Sequence, residues 1–350
     1  MYIKESICIS PQETFPSRFA TETLIEHQGN KYFAVEPSYE GLIPMGALRR
    51  MGKAVRMGVA AGTSLLRNEP DTDGIIIGTA NGGLEDCIKF LNQIVDYNEG
   101  TLTPTNFVQS TPNALAGQLA LIHKNHGYNI THSHGGLSFE NAVIDAFLQF
   151  EQQETRQLLV GSIEEISEYN YAIDLKSGLY KEEMTTSKTL LSSNTKGTVC
   201  GEGAAMFLFE KESSRQGQIR IADLSHTSYA RPERLHQHLN RFLERNGLNF
   251  SDIEGLILGY NGDEKANAWY DGVKSAFPET VALYTFKNAC GEYPTASSFA
   301  LWMAQQILQG NPIPDELILR ESEISPRKIL IYNHYRGIQH SFILLDAPSR

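Results

Sequence analysis

The sequence has little of what marks several large protein classes. Only four cysteines occur in 350 residues, Cys8, Cys87, Cys200 and Cys290. They have neither metal-ligand spacing nor the density of a disulfide framework, so a stapled or zinc-organised fold is excluded and a reducing compartment is expected. No polybasic run is present, and 30 basic against 41 acidic residues give a net charge of −11, which argues against a nucleic-acid partner. No apolar run approaches the roughly 20 residues that cross a bilayer. The start, MYIKESICISPQETF, lacks the basic and apolar regions of a signal peptide. The expectation is a soluble, cytoplasmic protein without a membrane span. The Gly-rich turn at Gly78 to Gly83 carries neither a P-loop lysine nor GxGxxG. No cofactor and no metal are therefore expected.

What is present is a large apolar fraction, 41%, enough to bury a substantial core. Short β-branched or leucine-rich runs bounded by glycine or polar residues predict buried strands at Asp73 to Gly78, Gln157 to Gly161, Gly255 to Gly259 and Lys328 to Tyr332. Apolar residues at helical spacing predict helices at Gly82 to Val95, Ala47 to Leu66, Asn113 to Lys124, Phe139 to Gln152, Arg231 to Asn246 and Ala296 to Leu308. Alternating strands and helices imply an α/β fold with parallel strands, to which Thr198 to Glu210 and Ser341 to Leu345 add antiparallel ones. A boundary is placed near residues 215 to 225, where Glu212 to Gly217 (ESSRQG) reads either as a linker or as an exposed hairpin turn.

Four segments in order carry a family resemblance. They are Ile75 to Glu85 (IIIGTANGGLE), Pro112 to Gln118 (PNALAGQ) followed by GYNIT at Gly127 to Thr131, Gly197 to Glu210 (GTVCGEGAAMFLFE), and Lys287 to Glu292 (KNACGE). Together the chain resembles the β-ketoacyl synthase branch of the thiolase-like superfamily. The resemblance implies two pseudo-related halves, residues 1–220 and 221–350, in one compact α-β-α-β-α layered unit.

It also defines where condensing chemistry should sit. Such an enzyme needs a cysteine at a helix N-terminus, where the helix dipole favours thiolate, and two histidines that promote decarboxylation and stabilise the oxyanion. Five residues after Thr131, where the family has its cysteine, the run THSHGGLSFENA has Gly136. Asn261 follows GLILGY where the first histidine is expected, and Glu292 replaces the second, while the loop lysine is retained as Lys287. The family's glycine-rich C-terminal loop is here NHYRGIQHS, Asn333 to Ser341, whose Tyr335 and Arg336 are expected to fill space left elsewhere for substrate. No catalytic residue is expected among these positions, and Glu292 is expected to pair with Lys287 or with a backbone amine donor.

Other residues admit two readings. Ser138 is either a nucleophile or a structural hydroxyl, and GLSFE lacks the second glycine of a G-x-S-x-G elbow. Cys290 is either reactive or an inert buried thiol. His132 and His134 share a strand face, and packing competes with a metal site that has no third ligand. Gly135 and Gly136 are expected to permit a tight strand-to-helix turn.

By resemblance, the family dimerises across the strand at about Tyr128 to Ser133. Phe107, Gln109, Pro112, Thr131, Ser133 and Ser138 are therefore candidate interface or substrate-binding residues. The resemblance implies a catalytically inactive, chain-length-factor-like subunit that pairs with an active ketosynthase. Its other partners would be an acyl carrier protein and the acyl or malonyl thioester chain, in a type II fatty-acid, polyketide or aryl-polyene pathway. Two other functions stay open: an acyl-thioester transferase or hydrolase using Ser138 or Cys290, and a stand-alone acyl- or carrier-binding protein.

Overall fold

The structure is a computed structural model and describes residues 1–152 and 154–348. Its eleven principal strands are β1 Tyr2–Ile9, β2 Gly74–Gly78, β3 Tyr128–His132, β4 Gln157–Glu164, β5 Gly203–Glu210, β6 Arg220–Ser228, β7 Gly255–Leu258, β8 Ala282–Thr285, β9 Ile318–Arg320, β10 Lys328–Tyr335 and β11 Gln339–Asp346. The helices longer than one turn are α1 Lys53–Leu66, α2 Leu84–Asp96, α3 Pro104–Gln109, α4 Ala114–His123, α5 Ser138–Glu151, α6 Glu168–Lys176, α7 Pro232–Arg245, α8 Glu264–Lys274 and α9 Ser297–Gln309.

The strands follow the order β9-β8-β7-β10-β11-β6-β1-β5-β4-β2-β3. The apolar runs pair in parallel, β3 with β2, β2 with β4, β8 with β7 and β7 with β10. The antiparallel additions are β5 against β4 and β1, and β11 against β10 and β6. Only Tyr2 and Arg220 register β1 with β6, so the junction between the two strand groups is narrow. Strand β1 lies between β5 and β6. The segment Glu212 to Gly217 is thus an exposed turn, but not a hairpin turn, because the strands it joins do not pair.

Alternation along the strands builds the layers. In β2, Ile75 and Ile77 face a core shared with α1 and α4, while Ile76 faces a core shared with α5 and α9. In β7, Leu256 and Leu258 join α7 and α8, while Ile257 turns to the α5–α9 side. Three cores separated by two sheet portions give the α-β-α-β-α stack, the expected fold class. Helix α1 is shorter than the predicted Ala47 to Leu66, because the chain leaves helical geometry at Gly52 and Met45–Leu48 forms a separate turn. No helix among the described residues is long and apolar enough to cross a membrane.

Candidate functional site

The site forms where β3 turns into α5. Gly135 has a positive φ of 57°, as the turn reading requires, but Gly136 does not. Sterics explain Gly136 instead: a Cβ there would fall on Tyr335 Cβ and lie 2.7 Å from Tyr335 Cγ. Tyr335 and Gln339 face each other at the tip of the β10–β11 hairpin. Two left-handed residues, Arg336 and Gly337, close that tip. The Gly136 N–H donates to Gln339 Oε1 at 2.7 Å, and Gln339 Nε2 donates to the His134 carbonyl at 3.0 Å. One hairpin therefore fills the side-chain space at residue 136 and takes up a backbone donor at the start of α5.

Beside it lies a buried charge cluster. Lys287 Nζ reaches Glu292 Oε1 and Oε2 at 2.9 and 2.8 Å, and Asn261 Nδ2 donates to Glu292 Oε2 at 2.8 Å. Lys287 also donates to Tyr270 Oη and to the His334 carbonyl, each at 3.2 Å. Of the two partners open to Glu292, Lys287 is the observed one, and further hydrogen bonds satisfy both ions, as burial demands. The close approach of Gly201 makes the arrangement possible, since a Cβ there would lie 2.8 Å from Gly291 Cα.

His334 was not singled out as a site residue by its sequence. Its ring stacks on Tyr270 with centroids 4.4 Å apart, Nε2 donates to the Ala266 carbonyl and Nδ1 accepts from Gly337 N–H. Burial holds its pKa well below the usual range, with the Lys287 charge adding to the effect. Neutral imidazole is also what those two bonds require.

Two cavities flank the hairpin tip. One, of about 420 Å³, is lined by Asn261, Glu292, His334, Lys265 and Trp269. The other, of about 580 Å³, is lined by His134, Gly135, Tyr335, Gln339 and Asp174. Arg336 lines both and is tied to Asp174 at 2.7 Å. Tyr335, with its phenol pushed up to about 12 mainly by burial, lines the second of these cavities beside Arg336.

The remaining candidates separate clearly. Ser138 is buried, accepting from His134 N–H and donating to the Gly135 carbonyl, both at 2.8 Å. It braces the turn and touches no base. Cys290 is fully buried, and desolvation raises its thiol pKa well above normal, so little thiolate forms. His132 pairs with Asp145 at 2.9 Å and His134 with Asn141 at 2.9 Å, so both pack on α5. No group of three or more potential metal ligands occurs among the described residues.

Strand β3 is the last strand of the sheet. Thr131 bonds Asn113 and Ser133 bonds the Thr79 carbonyl. Tyr128 on β3, Leu121 on α4 and Leu148 on α5 expose apolar surface around this edge, and Phe107 and Val108 on α3 are exposed too. Pro112 is exposed, whereas Gln109 is buried and not available to a partner.

Residues 26–230 match the family model described as beta-ketoacyl synthase, N-terminal domain. A beta-ketoacyl synthase from Burkholderia phymatum STM815 is similar over 99% of both chains, with TM-score 0.79 and 14% identity. The ishigamide ketosynthase/chain length factor is similar over 99% of both chains, with TM-score 0.73 and 16% identity. A ketosynthase in complex with its chain length factor from Xenorhabdus doucetiae shares 14% identity at TM-score 0.73 over 99% of this chain and 98% of that one. At these identities the structural likenesses establish the fold. No curated protein matches the sequence.

Proposed function

Since the chain belongs to the beta-ketoacyl synthase family, we propose that it is a catalytically inactive, chain-length-factor-type subunit. It pairs with an active ketosynthase in a type II fatty-acid, polyketide or aryl-polyene pathway. The observation that carries this reading is the filled nucleophile position: Gly136 has no reactive group, and Tyr335 and Gln339 take the space and the backbone donor that an acylated residue would need. Asn261 and Glu292, at the positions assigned to the two histidines, are consumed by Lys287 and by each other. Condensation of the acyl group with a malonyl thioester on acyl carrier protein then occurs on the partner.

The open edge of β3, with Tyr128, Leu121 and Leu148 around it, suits the ketosynthase partner, and Phe107 and Pro112 lie on exposed surface suited to the same role. Residues 1–220 and 221–350 are the two halves of the unit, and the subunit works in the cytoplasm without a cofactor. Neither Ser138 nor Cys290 has the surroundings of a nucleophile.

The test is co-expression with the ketosynthase of the same cell, purification through a tag on this chain, and assay of malonyl-thioester condensation. A one-to-one complex whose activity depends on the partner's cysteine and survives Ser138→Ala supports the reading. Turnover by this chain alone overturns it.

A further inference from the structure

Helix α6 is held down by little. None of its residues is buried, and Tyr169 and Ile173 are exposed. Helix α5, which starts at the same site, instead buries Phe139, Ala142, Val143 and Ala146 among others. Beneath α6 lies a small satellite cluster of Ile166, Tyr180 and Cys200, against which Tyr171 and Leu175 pack, separate from the three cores of the layered stack. Tyr171 stacks on Tyr180 with ring centroids 5.1 Å apart. Few buried apolar contacts and wide exposure mark an element of low local stability.

The two ends of α6 are tied differently. In the first turn, Lys31 reaches Glu168 at 2.7 Å and lies 4.2 Å from the Tyr171 ring centroid, and the Glu168 N–H donates to Glu85 at 3.2 Å. Beyond that turn, among the described residues, the ion pair of Asp174 with Arg336 at 2.7 Å is the one polar tie from a distant part of the chain. Asn170, Ile173 and Asp174 line the 580 Å³ cavity, and Ser177, Gly178 and Leu179, directly after the helix, line the 420 Å³ one. One loosely packed helix thus spans both cavities, and a single ion pair fastens its far half to the arginine that stands between them.

We propose that α6 is a lid over both cavities, latched by Arg336 and Asp174. When the latch releases, the helix swings about its anchored first turn, and the two cavities join beneath it and open to solvent. The latch is itself partly exposed, its two side chains 38% and 20% accessible, so water competes for both ions and the closed state is only weakly favoured.

Cys200 reports the motion. It is buried in the cluster under α6, and burial pushes its thiol up to about 12, so it reacts only when uncovered. Cys8 and Cys290 lie in the main core and serve as internal controls. Iodoacetamide labelling of the full chain, read at each cysteine by peptide mass spectrometry, is compared between wild type, Asp174→Ala and the charge swap Asp174→Arg/Arg336→Asp. Alanine has the higher helix propensity, so faster labelling in Asp174→Ala does not come from a weakened helix. The expected result is Cys200 labelling about threefold faster in Asp174→Ala, the size set by loss of a partly exposed ion pair, with Cys8 and Cys290 unchanged and the wild-type rate regained in the swap. Unchanged Cys200 labelling in the folded Asp174→Ala protein overturns the proposal. A rise shared by Cys8 and Cys290, which marks general loosening, overturns it too, as does a swap that labels as fast as Asp174→Ala.

Discussion

Placing a cysteine at residue 136 tests how completely the hairpin fills the site. In Gly136→Cys the new Cβ meets Tyr335 Cβ and Cγ, atoms that rotation about the Tyr335 side-chain bonds cannot carry far from the backbone. The hairpin tip must move, which strains the core and breaks the Gly136 to Gln339 bond at 2.7 Å and the Gln339 to His134 bond at 3.0 Å. Overpacking costs about 1–3 kcal/mol, and a buried donor left unpaired adds about 1–3 kcal/mol. A loss of roughly 2–6 kcal/mol, measured by urea denaturation at unchanged m-value, is expected. The second site discriminates further. Tyr335→Ala keeps the offending Cβ and should not relieve Gly136→Cys, whereas Tyr335→Gly removes it and should, giving a large favourable coupling in a double-mutant cycle. A Gly136→Cys protein as stable as wild type, with a thiol alkylated as fast as free cysteine, would refute the filled-site argument.

Lys287→Met or Glu292→Gln alone leaves the other buried member of the pair uncompensated and should cost about 3–5 kcal/mol, whereas Lys287→Met with Glu292→Leu should be closer to neutral by chemical denaturation. Glu164 is fully buried among Thr79, Ala80 and Asn81, and desolvation, opposed by those hydrogen bonds, raises its pKa from 4.5 to about 8. The folded state then holds a proton that the unfolded state releases. The stability contribution is thus fully present at low pH and falls as pH rises from about 4.5 to about 8; thermal unfolding of Glu164→Gln across that range should lack this slope. Leu121→Glu with Leu148→Glu changes two exposed residues, and should leave the unfolding temperature within a few degrees while splitting the ketosynthase complex on size exclusion.

The strands most legible in sequence, GIIIG, QLLVG, GLIL and KILIY, are buried on both faces and have uninterrupted apolar runs, and the apolar β5 and β11 were legible too. Strand β1 (YIKESICI) and β6 (RIADLSHTS) were not legible, because polar residues interrupt them and their strand character comes from pairing with β5 and β11. Strand β8 (ALYT) lacks the aliphatic run that marks the equally short β7. At the site, the substitutions at Gly136, Asn261 and Glu292 stood out against the family pattern. The roles of Gln339 and Asp174 did not, since each acts across more than 160 positions of sequence on a partner that only the fold brings near.

The replacements act as a set. The turn that leads into α5 presents backbone donors that burial penalises, and Gln339 supplies an acceptor. The absence of a side chain at Gly136 leaves space, and Tyr335 occupies it. A lysine kept in the interior needs a counter-charge, and Glu292 provides one that Asn261 holds in place. Each of these groups is thus matched by a residue that satisfies it. The Gly136 donor and the space beside it are thus both taken up, and the cavities stay open on either side of Arg336.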